Sequence, residues 1–209
     1  MDEIYDAGLV RLLVGRRGRL HAFPAIEPGR TAVVVLDAVP SALDGNPIVT
    51  AAIETLAAGA RAAGATICWI KPTPPASWRS SDAADAILGG EALALATERM
   101  EPGAPDSGIA DGLCPEPSDW MAHKAGYSAF FPGNCSLPDW LGAHGLDTVV
   151  LAGSGIAATA SARDAFEAGF RVIVCSDATT VADTKVLRDI ARDHGDVRPA
   201  ADIVALMLR

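Results

Sequence analysis

The sequence predicts a three-layer α/β domain in which a doubly wound, mostly parallel sheet carries helices on both faces. Short β-branched runs alternate with alanine-rich stretches of helical spacing, which is the order of βαβ units. The run TAVVVL at 31–36 is continuously apolar, as expected for a parallel strand covered on both faces. A length of 209 residues suits one domain with a full hydrophobic core, and right-handed crossovers then wind the sheet in both directions. We therefore treat 1–209 as a single domain with an N-terminal extension at 1–30.

The first predicted unit is a strand, a helix and a second strand. The strand at 31–36 stops at Asp37, which places this carboxylate at a strand's carboxyl end. A helix is predicted from Pro47 to Gly64, because apolar residues recur at helical spacing between these two signals. ATICWI at 65–70 predicts the second strand. The prolines of KPTPPASWRSS, which follows, exclude regular structure.

The middle of the chain predicts an interrupted helix, a long loop and a short strand. Residues 82–100 are rich in alanine and leucine, with a break at Gly89 and Gly90. Residues 101–119 are rich in proline and glycine, and a loop of this length often forms a lid or pocket wall. DWMAHK then predicts a strand that ends at Lys124, and Ser136 is the predicted cap of the helix after it.

The C-terminal part predicts two more strands and three helices. TVVLAG at 148–153 is a core strand, and SGIAATASARDAFEAG is the helix that follows it. RVIVCSDA is the last clear strand, and helices at about 183–194 and 200–208 close the chain.

The charge and composition of the chain limit the kinds of molecule that it is expected to bind. The net charge of −9 disfavours nucleic acids and anionic membranes, because both attract clustered Lys and Arg, which this chain has only in GRRGR. We interpret that stretch as a solvated turn. No apolar run approaches the roughly 20 residues of a membrane span, and the N-terminus reverses the order of a signal peptide, so we expect a cytoplasmic protein. The four cysteines form no metal-ligand or disulfide pattern, and we expect no metal or other cofactor.

The strand ends predict where a ligand binds. In doubly wound sheets ligands gather outside the carboxyl ends of the strands, which marks Asp37, Lys71, Lys124 and the segment 153–157. A carboxylate after five apolar residues must be hydrogen-bonded, ion-paired or functional, and a lysine beside it would hold the acid ionised. An aspartate that caps a helix and an ordinary surface lysine are the alternative interpretations of Asp37 and Lys124.

Four motifs in a fixed order resemble the isochorismatase-like hydrolases, also called cysteine hydrolases. They are TAVVVLD, KAGYSAFF, LAGSGIAATASARDA and GFRVIVCSDA, and the resemblance runs from about Thr31 to the C-terminus. In most members an Asp, a Lys and a Cys form a triad that hydrolyses amide or imide C–N bonds. The resemblance assigns the first two roles to Asp37 and Lys124.

Alignment on the SARD motif at 161–164 places Ala157 where the family cysteine would stand. An alanine methyl cannot attack a carbonyl, so the covalent route is closed. Three interpretations stay open. In the first, the chain is an isochorismatase in which Asp37 protonates a vinyl ether and assists the attack of water. In the second, it is an amidase whose cysteine is replaced, either natively or deliberately to trap substrate. In the third, it is a member of the family that binds a ligand without catalysis.

The resemblance also implies the surroundings of the reacting atoms. The amides of Gly153 and Ala157 would form the oxyanion hole, and the Ala152–Gly153 peptide would be cis. Isochorismatases carry a Gln and an Arg after the second strand, where this chain has Lys71 and, at approximate spacing, Arg79. After the first strand, Val39 stands at a position where family members often have a Gln. We expect a small, anionic substrate and self-association, as in relatives. The predicted substrate contacts are Lys71, Trp78, Arg79, Tyr127, Phe130 and Ser154.

Overall fold

A six-stranded parallel sheet forms the centre of the protein, in the order β3-β2-β1-β4-β5-β6. The computed structural model describes residues 4–43, 45–74, 82–181 and 183–209. The order runs outward from β1 in both directions, which is the doubly wound arrangement predicted from the alternating strands and helices. The strands are β1 Thr31–Leu36, β2 Thr66–Pro72, β3 Trp120–Lys124, β4 Thr148–Gly153, β5 Arg171–Thr179 and β6 Asp196–Arg198.

Helices cover both faces of the sheet. Alternate residues of β1 enter core clusters on opposite faces of the sheet: Val33 and Val35 belong to one cluster, whereas Val34 and Leu36 belong to the other. This two-sided burial confirms the three-layer prediction. The helices are α1 Ala7–Arg17, α2 Pro40–Leu43, α3 Pro47–Ala62, α4 Asp82–Leu88, α5 Gly90–Arg99, α6 Leu137–Ala143, α7 Gly155–Glu167, α8 Thr184–Asp193 and α9 Ala200–Met207.

Two local predictions differ from the structure. Arg16 and Arg17, interpreted as part of a solvated turn, form the last turn of α1, which ends at Gly18 in the left-handed conformation. Ser136 precedes α6 as predicted, but its side chain makes no capping hydrogen bond. None of the described helices is long and apolar enough to cross a membrane.

The N-terminal extension docks on the β6 edge of the sheet. The Tyr5 hydroxyl donates to the carbonyl of Val197 at 2.7 Å, and His21 Nδ1 lies 2.9 Å from Asp196 Oδ1. Leu13 on α1 is fully buried. Ile4 of the extension is buried in the core cluster on the α7 and α8 side of the sheet, so the extension packs against the sheet.

The long loop at 101–119 is fixed across the segment that follows β1. The Asp106 carboxylate accepts hydrogen bonds from the Ser41 amide at 2.9 Å and from Arg99 Nε at 2.7 Å. The Ala110 amide donates to the carbonyl of Ala38 at 2.8 Å. Because Ala38 and Ser41 lie one and four residues after Asp37, the loop supports the segment that leaves the strand end.

Candidate active site

Two side chains predicted from strand ends meet at the carboxyl edge of the sheet. Asp37 follows β1, and Lys124 is the last residue of β3, on the other side of β2. The Lys124 side chain spans the intervening strand, and its Nζ donates to Asp37 Oδ2 at 2.8 Å. The alternative of a solvated surface lysine is excluded, because the Lys124 side chain is only 1% exposed.

The backbone of Asp37 is unusual for a residue with a side chain. Its φ is 46°, in the left-handed region that Asp and Asn tolerate better than most residues. The Asp37 amide still donates to the carbonyl of Ile70 at 2.8 Å, so pairing with β2 continues while the chain turns. Such conformations cost about 1–3 kcal/mol and concentrate at functional sites. The turn aims the carboxylate toward Lys124.

Lys124 has a second partner that fixes its position. Its Nζ donates to the carbonyl of Gly126 at 2.8 Å, in addition to Asp37. A buried ammonium group requires such partners, because an unpaired buried charge is strongly unfavourable. Lys124 is therefore a rigid cationic support for one oxygen of the carboxylate.

The other oxygen of Asp37 has no partner in the described part of the chain. Oδ1 is buried and has no hydrogen-bond donor among the described residues, although the side chain as a whole is 14% exposed. Burial raises the pKa of Asp37 above its ordinary value, and the charge and hydrogen bond of Lys124 offset this only in part. A buried carboxyl with a raised pKa and one unpartnered oxygen can give or take a proton at a ligand.

The turn between β4 and α7 brings the start of that helix close to β1. Gly153 has φ 98°, and a Cβ there would lie 2.1 Å from the carbonyl oxygen of Leu36, so only glycine fits. The amide of Ser154 donates to the same Leu36 carbonyl at 2.8 Å, and the Gly155 amide donates to Thr180 Oγ1 at 2.9 Å. These bonds fix the α7 N-terminus beside the end of β1.

Ala157 lies in the first turn of α7 and is almost fully buried. Its side chain is a methyl group that packs in the core with Ala158 and Ala162. The first amides of a helix have no carbonyl partner within it, and those of Ile156 and Ala157 find no acceptor in the described chain. Amides of this kind can stabilise a developing negative charge, and that role of Ala157 stays a prediction. Gly153 lies within the ladder between Leu36 and Thr179; its role as an oxyanion donor stays a prediction.

The other predicted contacts have different surroundings. Lys71 Nζ donates to the carbonyl of Ser107 at 2.6 Å, so this cation holds the long loop. Phe130 is buried against Phe170, with ring centroids 5.4 Å apart, and packs in the core. Tyr127 is about half exposed. Trp78 and Arg79 lie outside the described residues.

The prediction of a cis peptide bond between Ala152 and Gly153 was wrong. No cis bond occurs among the described residues, so the Ala152–Gly153 peptide is trans. The close approach to β1 is reached instead by the positive φ of Gly153.

An open groove of about 850 Å³ adjoins the first turn of α7. Its lining comes from α2, the outer face of α7 and the start of α8. Ser154, a predicted substrate contact, lies at this groove together with Ile156 and Arg163. Ser41 and Thr180 also lie at this groove, which the sequence did not predict, because long-range contacts bring their two loops together. The only local sign of Thr180 was the pair of threonines that follows CSDA at the end of β5.

Comparisons with known proteins agree on one family. Residues 22–192 match the isochorismatase domain model. The chain is 28% identical over 194 residues to ureidoacrylate amidohydrolase RutB of Methylobacterium radiotolerans, covering 80% of this chain and 73% of that protein.

Solved structures show the same fold. A cysteine hydrolase from Pseudomonas syringae superposes with a TM-score of 0.74 at 20% identity, over 90% of this chain and 97% of that one. An isochorismatase family protein from Burkholderia thailandensis has a TM-score of 0.67 at 27% identity, over 90% and 100% of the two chains.

Proposed function

The chain belongs to the isochorismatase family of hydrolases, and we propose that it cleaves a small molecule by direct addition of water, without a covalent enzyme intermediate. The observation that carries the proposal is Oδ1 of Asp37, which has no partner among the described residues and lies at the end of β1, beside the start of α7. In that helix Ala157 holds the family's nucleophile position. A carboxyl that can exchange a proton is present, whereas a side chain that could form an acyl enzyme at position 157 is not.

The three parts of the site have separate roles in this proposal. Asp37 exchanges a proton with substrate or water through Oδ1. Lys124, hydrogen-bonded to Oδ2 at 2.8 Å, fixes the carboxyl and opposes the rise in its pKa. Where a tetrahedral intermediate forms, the amides of Ile156 and Ala157 stabilise the negative charge on its oxygen.

The first candidate bond is the C–O bond of a vinyl ether. The protonated Oδ1 of Asp37 donates its proton to the terminal CH₂ carbon, and the double bond becomes an oxocarbenium ion. Water adds to the cationic carbon and returns a proton to Asp37. The hemiketal then collapses to a ketone and an alcohol. The raised pKa of Asp37 supports this candidate, because it keeps the acid form available at higher pH.

The second candidate is the C–N bond of an amide or ureido group, as the name of the curated relative from Methylobacterium suggests. Ionised Asp37 would take a proton from water while the oxygen adds to the carbonyl carbon. The α7 amides would stabilise the tetrahedral intermediate. Asp37 would then give its proton to the leaving nitrogen as the C–N bond breaks.

The pH profile of kcat/KM separates the two candidates. The vinyl-ether route requires protonated Asp37, so its rate should fall as the pH rises through the raised pKa of this group. The C–N route requires the ionised carboxylate, so its rate should rise over the same range. Isochorismate and ureidoacrylate are suitable probes, with pyruvate and ammonia as the products measured.

Isotope labelling tests the proton transfer directly. In D₂O the vinyl-ether route predicts one solvent deuterium in the methyl group of the ketone product. Asp37→Asn is the matched variant, because asparagine keeps the shape and tolerates the positive φ but cannot donate an acid proton. Turnover of either probe by wild type but not by Asp37→Asn supports the proposal.

Restoring a nucleophile tests the amidase interpretation. If Ala157→Cys gains hydrolysis of amides or ureides that wild type lacks, the chain is an amidase scaffold whose cysteine is replaced. Tight binding of either probe with no turnover by wild type or Ala157→Cys would contradict the proposal and leave a ligand-binding protein.

A further inference from the structure

A second cleft, of about 430 Å³, lies where the N-terminal extension crosses β6 and α9. We call it the arginine cleft, after three of its lining residues: Arg19, Arg198 and Arg209. β6 is one edge of the sheet, and Lys124 ends the strand at the opposite edge, so the cleft is separate from the Asp37 site. These arginines also lie outside the 22–192 segment matched by the family model.

The inner arginine is held in place before any ligand binds. Arg198 is buried, with a side chain 9% exposed; its Nε donates to Asp196 Oδ2 at 3.1 Å and its Nη2 to the carbonyl of Phe23 at 2.8 Å. The fully buried Asp196 also contacts His21, which lines the cleft. Arg198 Nη1 has no acceptor in the part of the chain that the structure describes. A preformed donor is therefore left over at this site.

The outer arginines have no side-chain partner among the residues that the structure describes. The guanidinium groups of Arg19 and Arg209 are exposed and make no hydrogen bond or ion pair with any described residue. The cleft carries one carboxylate of its own, Asp202, which forms no ion pair with them. The cleft thus offers an anion the guanidinium groups of Arg19 and Arg209, together with Nη1 of Arg198, whose charge is already paired with Asp196.

This chemistry selects a class of ligand. Guanidinium groups bind phosphate and carboxylate oxygens through pairs of parallel hydrogen bonds, and several together favour an anion with more than one charge. A volume of about 430 Å³ suits a small molecule. Leu20 and Leu206 on the wall would contact an apolar portion of the ligand.

We propose that the arginine cleft binds a small multivalent oxyanion such as a phosphate monoester. The anion would connect Arg19 of the extension, Arg198 of β6 and Arg209 after α9. Binding to the folded state alone raises its stability as the ligand concentration increases, so the anion would strengthen the docking of the N-terminal extension. This inference is independent of the reaction proposed at Asp37.

Thermal unfolding of the whole chain with inorganic phosphate as the probe tests the site. Wild type should show a saturable rise in Tm that exceeds the rise in chloride at matched ionic strength. The double variant Arg19→Gln/Arg209→Gln should lose the saturable part. Arg11→Gln/Lys185→Gln is the matched control, because it also removes two exposed cations but none from the cleft. Phosphate stabilises proteins generally, and that effect is common to all three proteins.

The outcomes are distinct. Equal phosphate responses of wild type and both variants, or an equal loss in both variants, would overturn the assignment. Isothermal titration with phosphate should show one site in wild type and none in Arg19→Gln/Arg209→Gln. Flotation with phosphatidylcholine vesicles containing phosphatidic acid separates a free anion from a lipid headgroup; binding to these vesicles through Arg19 and Arg209 would contradict a free small ligand.

Discussion

Asp37 and Lys124 form one buried unit in which each charge holds the other in place. Lys124 is 1% exposed and donates to Asp37 Oδ2, while Asp37 Oδ1 has no donor among the described residues. The pair was predictable because both residues end strands and match motifs in the expected order. The positive φ of Asp37 and the use of Lys71 to hold Ser107 were not, because both depend on contacts between distant segments.

Removing the ammonium group of Lys124 should lower the free energy of unfolding, because the buried Asp37 carboxylate then lacks its counter-charge. Lys124→Met leaves Asp37 without its ion-pair partner, so we expect a loss of about 3–5 kcal/mol in the free energy of unfolding at neutral pH. The pKa of Asp37 should rise further, because burial is then unopposed. Urea unfolding at several pH values measures both effects. The loss should shrink as the pH falls and Asp37 becomes protonated; a loss independent of pH would contradict the coupling.

Gly153 is a position where the fold and the site depend on the same residue. Gly153→Ala combines an unfavourable φ with a clash against the Leu36 carbonyl, so we expect a loss well above the roughly 1 kcal/mol of a simple glycine replacement. Gly145→Ala is the control: Gly145 also has a positive φ, but its missing Cβ would meet open space. Urea unfolding compares the two, and equal losses would contradict the close approach of β4 to β1.

At the scale of elements, the long strands and helices follow from sequence periodicity, whereas the short elements do not. β1 and β4 were predicted from continuous apolar runs, and the structure confirms their bounds. β6 has three residues, and its strand conformation comes from pairing with β5. The four-residue helix α2 follows Asp37 and is bonded to the distant loop through Asp106. Such elements depend on tertiary contacts that local pattern does not encode.

The loop at 101–119 should support the site through Asp106. Asp106→Ala leaves the Ser41 amide without its acceptor and Arg99 without its ion-pair partner. We expect a loss of about 1–3 kcal/mol in stability and a lower kcat, because the segment after Asp37 becomes less well fixed. Asp111→Ala, in the same loop and exposed, is the control. Urea unfolding and steady-state kinetics measure the effects; equal behaviour of the two variants would contradict this role.

For the whole molecule, the docking of the N-terminal extension predicts an acid-sensitive contribution to stability. Burial favours a higher pKa for Asp196, but the hydrogen bond from His21 and the charge of Arg198 outweigh it, so the pKa lies below its ordinary value. A carboxyl whose pKa is lower in the folded protein than in the unfolded one stabilises the fold. That contribution is fully present above the pKa of the unfolded state, about 4, and is lost as the pH falls through the pKa of the folded state. Wild type should therefore lose more stability than Asp196→Asn between pH 6 and pH 3, in urea unfolding. Parallel losses would contradict the prediction.

Self-association also remains a prediction for the whole molecule. The exposed apolar side chains of Ile156 and Phe166 on α7 are available for a contact between two copies of the chain. Light scattering after size-exclusion chromatography should give a mass of at least twice the 21.5 kDa of one chain. A mass of one chain at micromolar concentration would contradict it.

The central claim is that Asp37 performs acid–base chemistry in a hydrolase without a nucleophile at position 157. The most direct measurement is kcat/KM for isochorismate and for ureidoacrylate with wild type and Asp37→Asn, both checked for folding. We predict turnover of one probe by wild type and a loss of about 10²–10⁴-fold in the variant, the range for removal of an acid–base group. Equal rates for the two proteins would contradict the account.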